Sequence, residues 1–441
     1  MFTPRPKKIV SNLAIVRERI AIIGSGVSGL GCLYFLSKNY EITLFDSNLR
    51  PGGHAHTIDV SEPTTGKKLP MDTGFMVFNE VTYPMLCRLF QNLGIRWKKA
   101  PMSFSVRHDP SGLEWCGSSL NHLFAQRRNL LRPRFWKLLW QINRFNKLAQ
   151  NAWQTPAAEK ASLQEWCIQN NFGEDFLNLY LIPMSSAVWS TPPEKMLAFP
   201  AAKLMRFFYN HGFLGLNTQH QWLTPVQGSR EYVQAILSQC PAQHRLGELV
   251  TQIRRTSHGV TVTTSKGEET FDRVIMACHA DQSCTLLSDA DEREKAILGS
   301  FRYNQNIATV HTDESPMPQK RLAWSAWNYQ TWTKNGETKT STHYWMNALQ
   351  GLTPLGQFFV TINHPEKINP HKVIQTIPVE HPLFSLEALL AQGQIQELNE
   401  RKDSRLHFVG AWQRYGFHED GLWSAHRLCS YLLKRDAWEQ S

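Results

Sequence analysis

Glycines at 24, 26 and 29, an aspartate at 46 and a glycine pair at 52 and 53 are the residues of this 441-residue chain whose types and spacing point to chemistry. Gly24, Gly26 and Gly29 form G-x-G-x-x-G. The first permits a tight turn, the second lets a pyrophosphate approach the backbone, and the third lets a helix pack on a sheet. The anion then rests on unpaired N–H groups at a helix N-terminus. Asp46 follows at the spacing of an acid that meets a ribose hydroxyl. Gly52 and Gly53, followed by His54, come directly after that acid. A nicotinamide-binding unit needs no glycines there, whereas a chain wrapped along an extended FAD does. A plain Gly-Gly turn is the alternative.

Two strands and a helix must position these groups. The run Ile20 to Ile23 is short and β-rich, as in a buried parallel strand. Glu41 to Phe45 forms the next strand and delivers Asp46. Near the other end, His407 to Val409 reads as a strand, and Gly410 opens a turn where a flavin pyrophosphate could pass. Asp420 precedes Gly421-Leu422-Trp423-Ser424-Ala425 and reads as an N-cap. The positive end of that helix would stabilise negative charge on a reduced flavin.

With these motifs in hand, the chain resembles the flavin-containing amine oxidase and phytoene desaturase superfamily. Within it, the resemblance is to the bacterial branch often encoded beside cyclopropane-fatty-acyl-phospholipid synthases. The matching motifs are GSGVSG at 24–29, PGGHAHT at 51–57, MDTGFMVFN at 71–79, PMSSAVWST at 183–191, QGSREYV at 227–233, VIMACHADQ at 274–282, YWMNALQ at 344–350 and FVGAWQRYGFHEDGL at 408–422. The resemblance implies an α/β fold with α+β inserts: a discontinuous Rossmann-like FAD-binding domain and an amine-oxidase-like substrate domain. It implies that the backbone of Val250 meets the adenine, and that the helix after Asp420 faces the pyrimidine edge of the isoalloxazine, bringing Gly421 and Leu422 to the cofactor. Amine oxidases usually carry Arg where this chain has His54. That departure argues against inheriting amine-oxidase function unexamined. No cysteine falls within 410–422, so FAD is expected to be held non-covalently.

A flavin breaks the bond itself, and the protein orients the substrate and tunes the cofactor. The search is therefore for a wall: Trp189, Tyr344, Trp345, Asn347, Trp412, Tyr415, Phe417 and His418. From it His418, Asn347, Trp189 and Tyr344 are the catalytic candidates, and Trp412 joins Gly410 as a cofactor contact. His418 could act as acid or base near neutral pH, or anchor a loop. His54-x-His56 lacks a third ligand nearby, so no metal is expected.

Motif order divides the chain into an FAD-binding domain at 19–79, 223–288 and 405–435, and a substrate domain at 80–222 and 289–404. The first insert reads as mostly helical. Apolar residues are 42% of the chain, a globular composition, and no apolar run approaches a membrane span. Eight cysteines without metal or C-x-x-C spacing suit a reduced, cytoplasmic protein. The first 18 residues lack the apolar core of a secretory signal. A formal charge of +10 favours anionic partners, and no nucleic-acid motif accompanies it. From Trp115 to Ala158 there is no acidic residue, yet Arg127, Arg128, Arg132, Arg134, Lys137, Arg144 and Lys147 lie within it. As a helix, Phe135, Leu138, Leu139, Ile142 and Phe145 share the core face, with Trp136 and Trp140 opposite. Residues 127–147 therefore read as a contact for an anionic membrane at the cytoplasmic face, or as a solvated basic helix.

The expected function is FAD-dependent C–H oxidation or desaturation of an apolar substrate such as a phospholipid acyl chain. The alternatives are a flavin amine oxidase and a non-catalytic flavin-binding partner of a lipid methyltransferase. Substrate identity, electron acceptor and oligomeric state are not readable from the sequence.

Overall fold

The computed structural model describes residues 17–215, 218–352, 355–402 and 404–440. Residues 1–16 lie outside the described residues. The chain enters through β1 (Arg19–Ile23), turns through the glycine motif into α1 (Val27–Leu36) and returns as β2 (Glu41–Asp46). Both strands are buried apolar runs, because α/β sheets are covered on both faces. Three later strands complete this parallel sheet: β3 (Gln243–Leu246), β4 (Arg273–Met276) and β5 (Leu406–Phe408), in the order β3-β2-β1-β4-β5. Ile22 stands opposite Leu44 on one side and Ile275 on the other. One sheet thus gathers strands from three distant stretches of chain. In such sheets ligands bind outside the carboxyl ends of the strands. Here those ends carry the Gly24 turn, Asp46, Cys278-His279 and Gly410.

The second layer is a seven-stranded sheet in the order Val373–Leu383, Arg302–His311, Phe359–Ile362, Glu337–Trp345, Trp327–Lys334, Phe104–His108 and Leu113–Cys116. All its pairings are antiparallel except that of Trp327–Lys334 with Phe104–His108. The first insert is mostly helical, as expected, and adds a strand pair that the sequence reading did not single out. Its segment Phe104–Cys116 is a hairpin extending the substrate sheet, with Val106 and Trp115 facing each other in the core.

Three helices matter for the site. Both α2 (Pro84–Asn92) and the 20-residue α3 (Pro133–Ala152) begin with proline, whose fixed φ and missing N–H suit a first helical position. The last, α4 (His418–Leu433), lies against α1. The two touch at glycines: a Cβ on Gly31 would sit 2.9 Å from the Ala425 Cβ, and one on Gly421 would sit 2.6 Å from Val27 Cγ1. Their N-termini therefore meet. Among the described residues no helix is long and apolar enough to cross a membrane.

Candidate functional site

The glycine cradle lies where the two helix N-termini converge. Gly24 has φ +107° and no room for a side chain, since a Cβ would lie 2.9 Å from the Ala277 carbonyl oxygen. Gly26 is different: a Cβ built there meets no protein atom within 4 Å. It faces open space above the N-terminus of α1, whose first N–H groups have no intrahelical acceptor. Gly53 (φ +57°) backs onto Gly26, its Cβ position 3.1 Å from the Gly26 Cα. Two glycine motifs 27 residues apart thus form one floor, and Gly52 N–H donates to the Ser25 carbonyl (3.0 Å). Backbone N–H groups, no side chains and a free space in front of them fit a pyrophosphate. Asp46 closes one end. Its Oδ2 accepts Ser25 N–H (2.9 Å) and Oγ–H (2.5 Å), and its Oδ1 accepts Asn48 N–H (2.8 Å). The carboxylate therefore braces the glycine turn. Gly247 N–H and Glu248 N–H donate to the Asn48 and Asp46 carbonyls, which brings Val250 alongside, at a register shift in its strand pairing.

Beside the cradle lies a cluster of histidines. His54 keeps accessible surface although it sits deep in the fold, and its Nε2–H donates to the Glu380 carbonyl (3.1 Å). The ring centres of His381 and His279 stand 5.5 and 6.4 Å from it. Asn306 donates from Nδ2 to His381 Nδ1 (2.8 Å) and to the Ser190 carbonyl (3.2 Å). His279 stacks on Tyr303 at 4.1 Å and donates to Glu380 Oε2 (3.0 Å). Burial strips water from any imidazolium here. It pushes His54 down to about 4 and His381 to about 3, and lowers His279 as well.

The C-terminal cluster corrects several expectations. The helix begins at His418, so Asp420 is its third residue rather than its cap. Asp420 reaches back to accept the N–H groups of Phe417 (3.0 Å) and Tyr415 (3.2 Å). Gly421 N–H is already used by the Phe417 carbonyl, and the Leu422 side chain packs on Gly31. Those two residues therefore join α4 to α1, and the N–H groups left over at the helix start belong to 418–420. Glu419 turns away entirely. Its two oxygens accept Met85 N–H and Leu86 N–H, each at 3.0 Å, and cap α2. His418 stacks on Phe75 at 3.8 Å and shares a 3.1 Å hydrogen bond between Nε2 and the Tyr232 hydroxyl. Burial, aided by His54, lowers it to about 3, so it stays neutral through the physiological range and is no acid–base group near pH 7.

The predicted wall also divides. Trp189 is buried: its Nε1–H donates to the Tyr415 carbonyl (3.1 Å), and its ring packs with Phe207 (4.7 Å) and Phe417 (6.1 Å). Tyr344 is buried edge-on to Trp327, with its hydroxyl toward the Ala187 carbonyl (3.4 Å), and burial drives its phenol far upward. That is a core role. Asn347 staples a loop, donating to the Gly356 carbonyl (2.6 Å) and accepting Phe358 N–H (2.7 Å). Trp412 packs on Phe301 (4.6 Å) and donates to the Cys278 carbonyl (3.3 Å). Its indole fills the space over Gly410, where a Cβ would fall 2.0 Å from Nε1. Gly410 therefore makes room for the Trp412 indole.

Other residues carry weight that sequence reasoning did not assign. Asp72 is fully buried and accepts from Thr57 Oγ1 (2.5 Å), Ser229 N (2.9 Å), Ser229 Oγ (2.8 Å) and Gln350 Nε2 (2.7 Å). Four of the motifs meet at this one carboxylate. Lys203 is buried over the Phe384 ring (4.4 Å) and donates to the Arg414 carbonyl (2.6 Å) and Gln392 Oε1 (2.9 Å). Burial lowers it to about 7. It ties down the loop that carries Tyr415 and Phe417. His279 had a readable signal, its place at the carboxyl end of a predicted strand. Asn306, His381 and Lys203 had none.

The sequence profile of the flavin-containing amine oxidoreductases matches residues 28–364. A Mycobacterium tuberculosis (strain H37Rv) protein provisionally assigned as the flavin-containing monoamine oxidase AofH is 25% identical over 267 residues, 58% of this chain and 56% of that protein. The chain thus spans about half the length of the curated relatives it matches. Among solved structures, cyclohexylamine oxidase from Brevibacterium oxydans IH-35A superposes with a TM-score of 0.65 over 96% of this chain and 99% of its own, at 14% identity. The CLA-producing fatty acid isomerase from P. acnes does so with a TM-score of 0.62 over 95% and 98%, also at 14% identity. At such identities the superpositions establish a shared fold.

Proposed function

The chain belongs to the flavin-containing amine oxidoreductase family, and from that premise we propose an FAD-dependent oxidoreductase that holds its FAD non-covalently and acts on a C–H bond of an uncharged, apolar substrate. FAD, when bound, supplies acceptance of the two electrons that leave the substrate carbon. The rest belongs to the chain. Gly24, Gly26, Gly29 and Gly53 would hold the pyrophosphate and Asp46 the ribose end. His54, His381 and His418 would line the flavin recess without adding charge, and Trp189, Phe207 and Phe417 would exclude water.

The observation that carries the reading is the aromatic and imidazole character of these groups: Trp189 packs with Phe207 and Phe417, and His54 faces His381 and His279. The Glu380 carboxylate among them is hydrogen-bonded to His279 and Gln305. A hydrocarbon meets mostly ring surface there. A fatty-acyl chain is the substrate class we favour, in keeping with the motif resemblance to proteins encoded beside cyclopropane-fatty-acyl-phospholipid synthases. The second reading, oxidation of an amine entering as its neutral base, is favoured by the family itself and by the monoamine oxidase assignment of the mycobacterial relative.

Anaerobic mixing of the flavoprotein with candidate substrates separates them. Bleaching of the flavin absorbance by acyl lipids in micelles supports the first reading. Bleaching by primary amines alone would replace it with the second, and bleaching by neither class would remove both.

A further inference from the structure

We propose that the face built from residues 120–148 docks the protein on an anionic lipid bilayer. Helix α3 runs for 20 residues, about 30 Å. Its inward stripe is Phe135, Leu138, Gln141, Phe145 and Ala149, all buried. The opposite stripe holds Trp136, Lys137, Trp140, Arg144, Lys147 and Leu148 at successive turns. Trp136 and Trp140 are 50% and 60% exposed. The segment before the helix extends the same surface. Trp136 Nε1–H donates to the Leu130 carbonyl (2.9 Å), its ring lies 5.5 Å from Phe124, and Phe124 N–H donates to Leu120. That places Leu120, Leu130 and Leu131 at the N-terminal end of the helix, 76%, 47% and 88% exposed. Five large apolar side chains left open in one neighbourhood mark an interaction surface rather than scattered exposure.

The charge around them selects the partner. Arg134 is neutralised by Asp175, with contacts of 2.5 and 2.6 Å. Arg127, Arg128, Arg132 and Arg144 donate only to carbonyl or amide oxygens, and Lys137 and Lys147 extend into solvent. Among the described residues none of these six cations forms an ion pair. A second copy of the chain would bring like charge against like charge. A nucleic acid would use the cations but leave the leucines and tryptophans wet. A bilayer with anionic headgroups uses both: tryptophan at headgroup level, leucine in the acyl boundary, and lysine and arginine among the phosphates. The surface lies outside the flavin recess, so this docking is independent of which substrate is oxidised there.

The test is co-sedimentation of the FAD-loaded protein with vesicles of phosphatidylcholine and of phosphatidylcholine mixed with phosphatidylglycerol. Binding should rise with the phosphatidylglycerol fraction and fall as salt shortens the Debye length. The pair Lys137→Glu with Lys147→Glu should lower partitioning at least about tenfold, since each cation contributes about a fivefold factor near an anionic surface. The pair Leu131→Ser with Trp140→Ser should remove the binding that survives high salt. Both pairs lie on exposed side chains, and an unchanged flavin spectrum certifies their fold. Equal binding to both vesicle types, or full binding by both variant pairs, overturns the proposal. So does duplex DNA binding or concentration-dependent dimerisation without vesicle binding. Should a variant pair disturb the fold, the lipid-charge and salt dependence of the unsubstituted protein decides alone.

Discussion

Gly26 is the residue at which cofactor binding and folding separate. Its backbone is ordinary (φ −66°), and an added Cβ touches no protein atom within 4 Å. Gly26→Val should therefore fold with wild-type circular dichroism yet purify colourless, and a full flavin load in that variant would move the phosphate site elsewhere. The histidines make a second residue-scale prediction. Burial pushes His381 and His418 down to about 3 in the folded chain, against about 6.5 when unfolded. Between those values the unfolded chain takes up protons that the folded chain refuses. Their contribution is thus to weaken the fold as pH falls from about 6.5 toward about 3. Glu419, raised to about 7 by burial, acts oppositely and loses stability as pH rises from about 4.5 through 7. His418→Asn should flatten the acid limb by about 1.4 kcal/mol per pH unit, measured as urea midpoints across that range. An unchanged slope would mean that His418 is already protonated in the native state.

At the scale of elements, the site depends on two helix starts being held by carboxylates from the same three-residue run. Asp420 holds the start of its own helix, while Glu419 reaches α2, more than 300 residues away in sequence. Glu419→Ala should uncap α2 and cost about 1–2 kcal/mol, with Glu419→Gln recovering part of it through its one remaining acceptor. Thermal or urea unfolding of the three proteins checks the order, and equal stability of all three would deny the cap. The glycines at the crossing of α1 and α4 serve the same purpose by another route. They let the helices approach until the two N-termini face one space.

For the whole molecule, the parallel sheet joins three distant segments, and the cradle is built from loops of that sheet. A ligand seated in it binds only when all three are assembled. FAD should therefore raise the thermal midpoint, and continue to raise it as free FAD increases, with a gain in stability of about 2.7 kcal/mol at a hundredfold excess over Kd. NAD should produce no comparable rise. A midpoint indifferent to FAD would show that the cradle is not coupled to folding.

The sequence alone determined whatever is built from neighbours. Gly24, Gly26, Gly29 and Asp46 lie within one strand-turn-helix-strand unit, so their spacing dictates their geometry. The core and solvent faces of α3 follow from a 3.6-residue period that Phe135, Leu138 and Phe145 repeat. What the tertiary structure alone decided is the partner of each polar or aromatic side chain near the cleft. His418 looks like an acid or base until Tyr232 and Phe75 enclose it. Asn347 looks like a wall residue until Gly356 and Phe358 use both ends of its amide. Trp412 looks like a flavin contact until Phe301 and Cys278 draw it into the core. The hairpin at Phe104–Cys116 belongs with these, because its pairing partner, Trp327–Lys334, lies some 220 residues on. The reason is common to all of them: a backbone turn or a helical stripe is specified by contiguous residues, whereas a hydrogen bond or ring contact goes to whichever group the packed fold brings within reach, at separations no local pattern encodes.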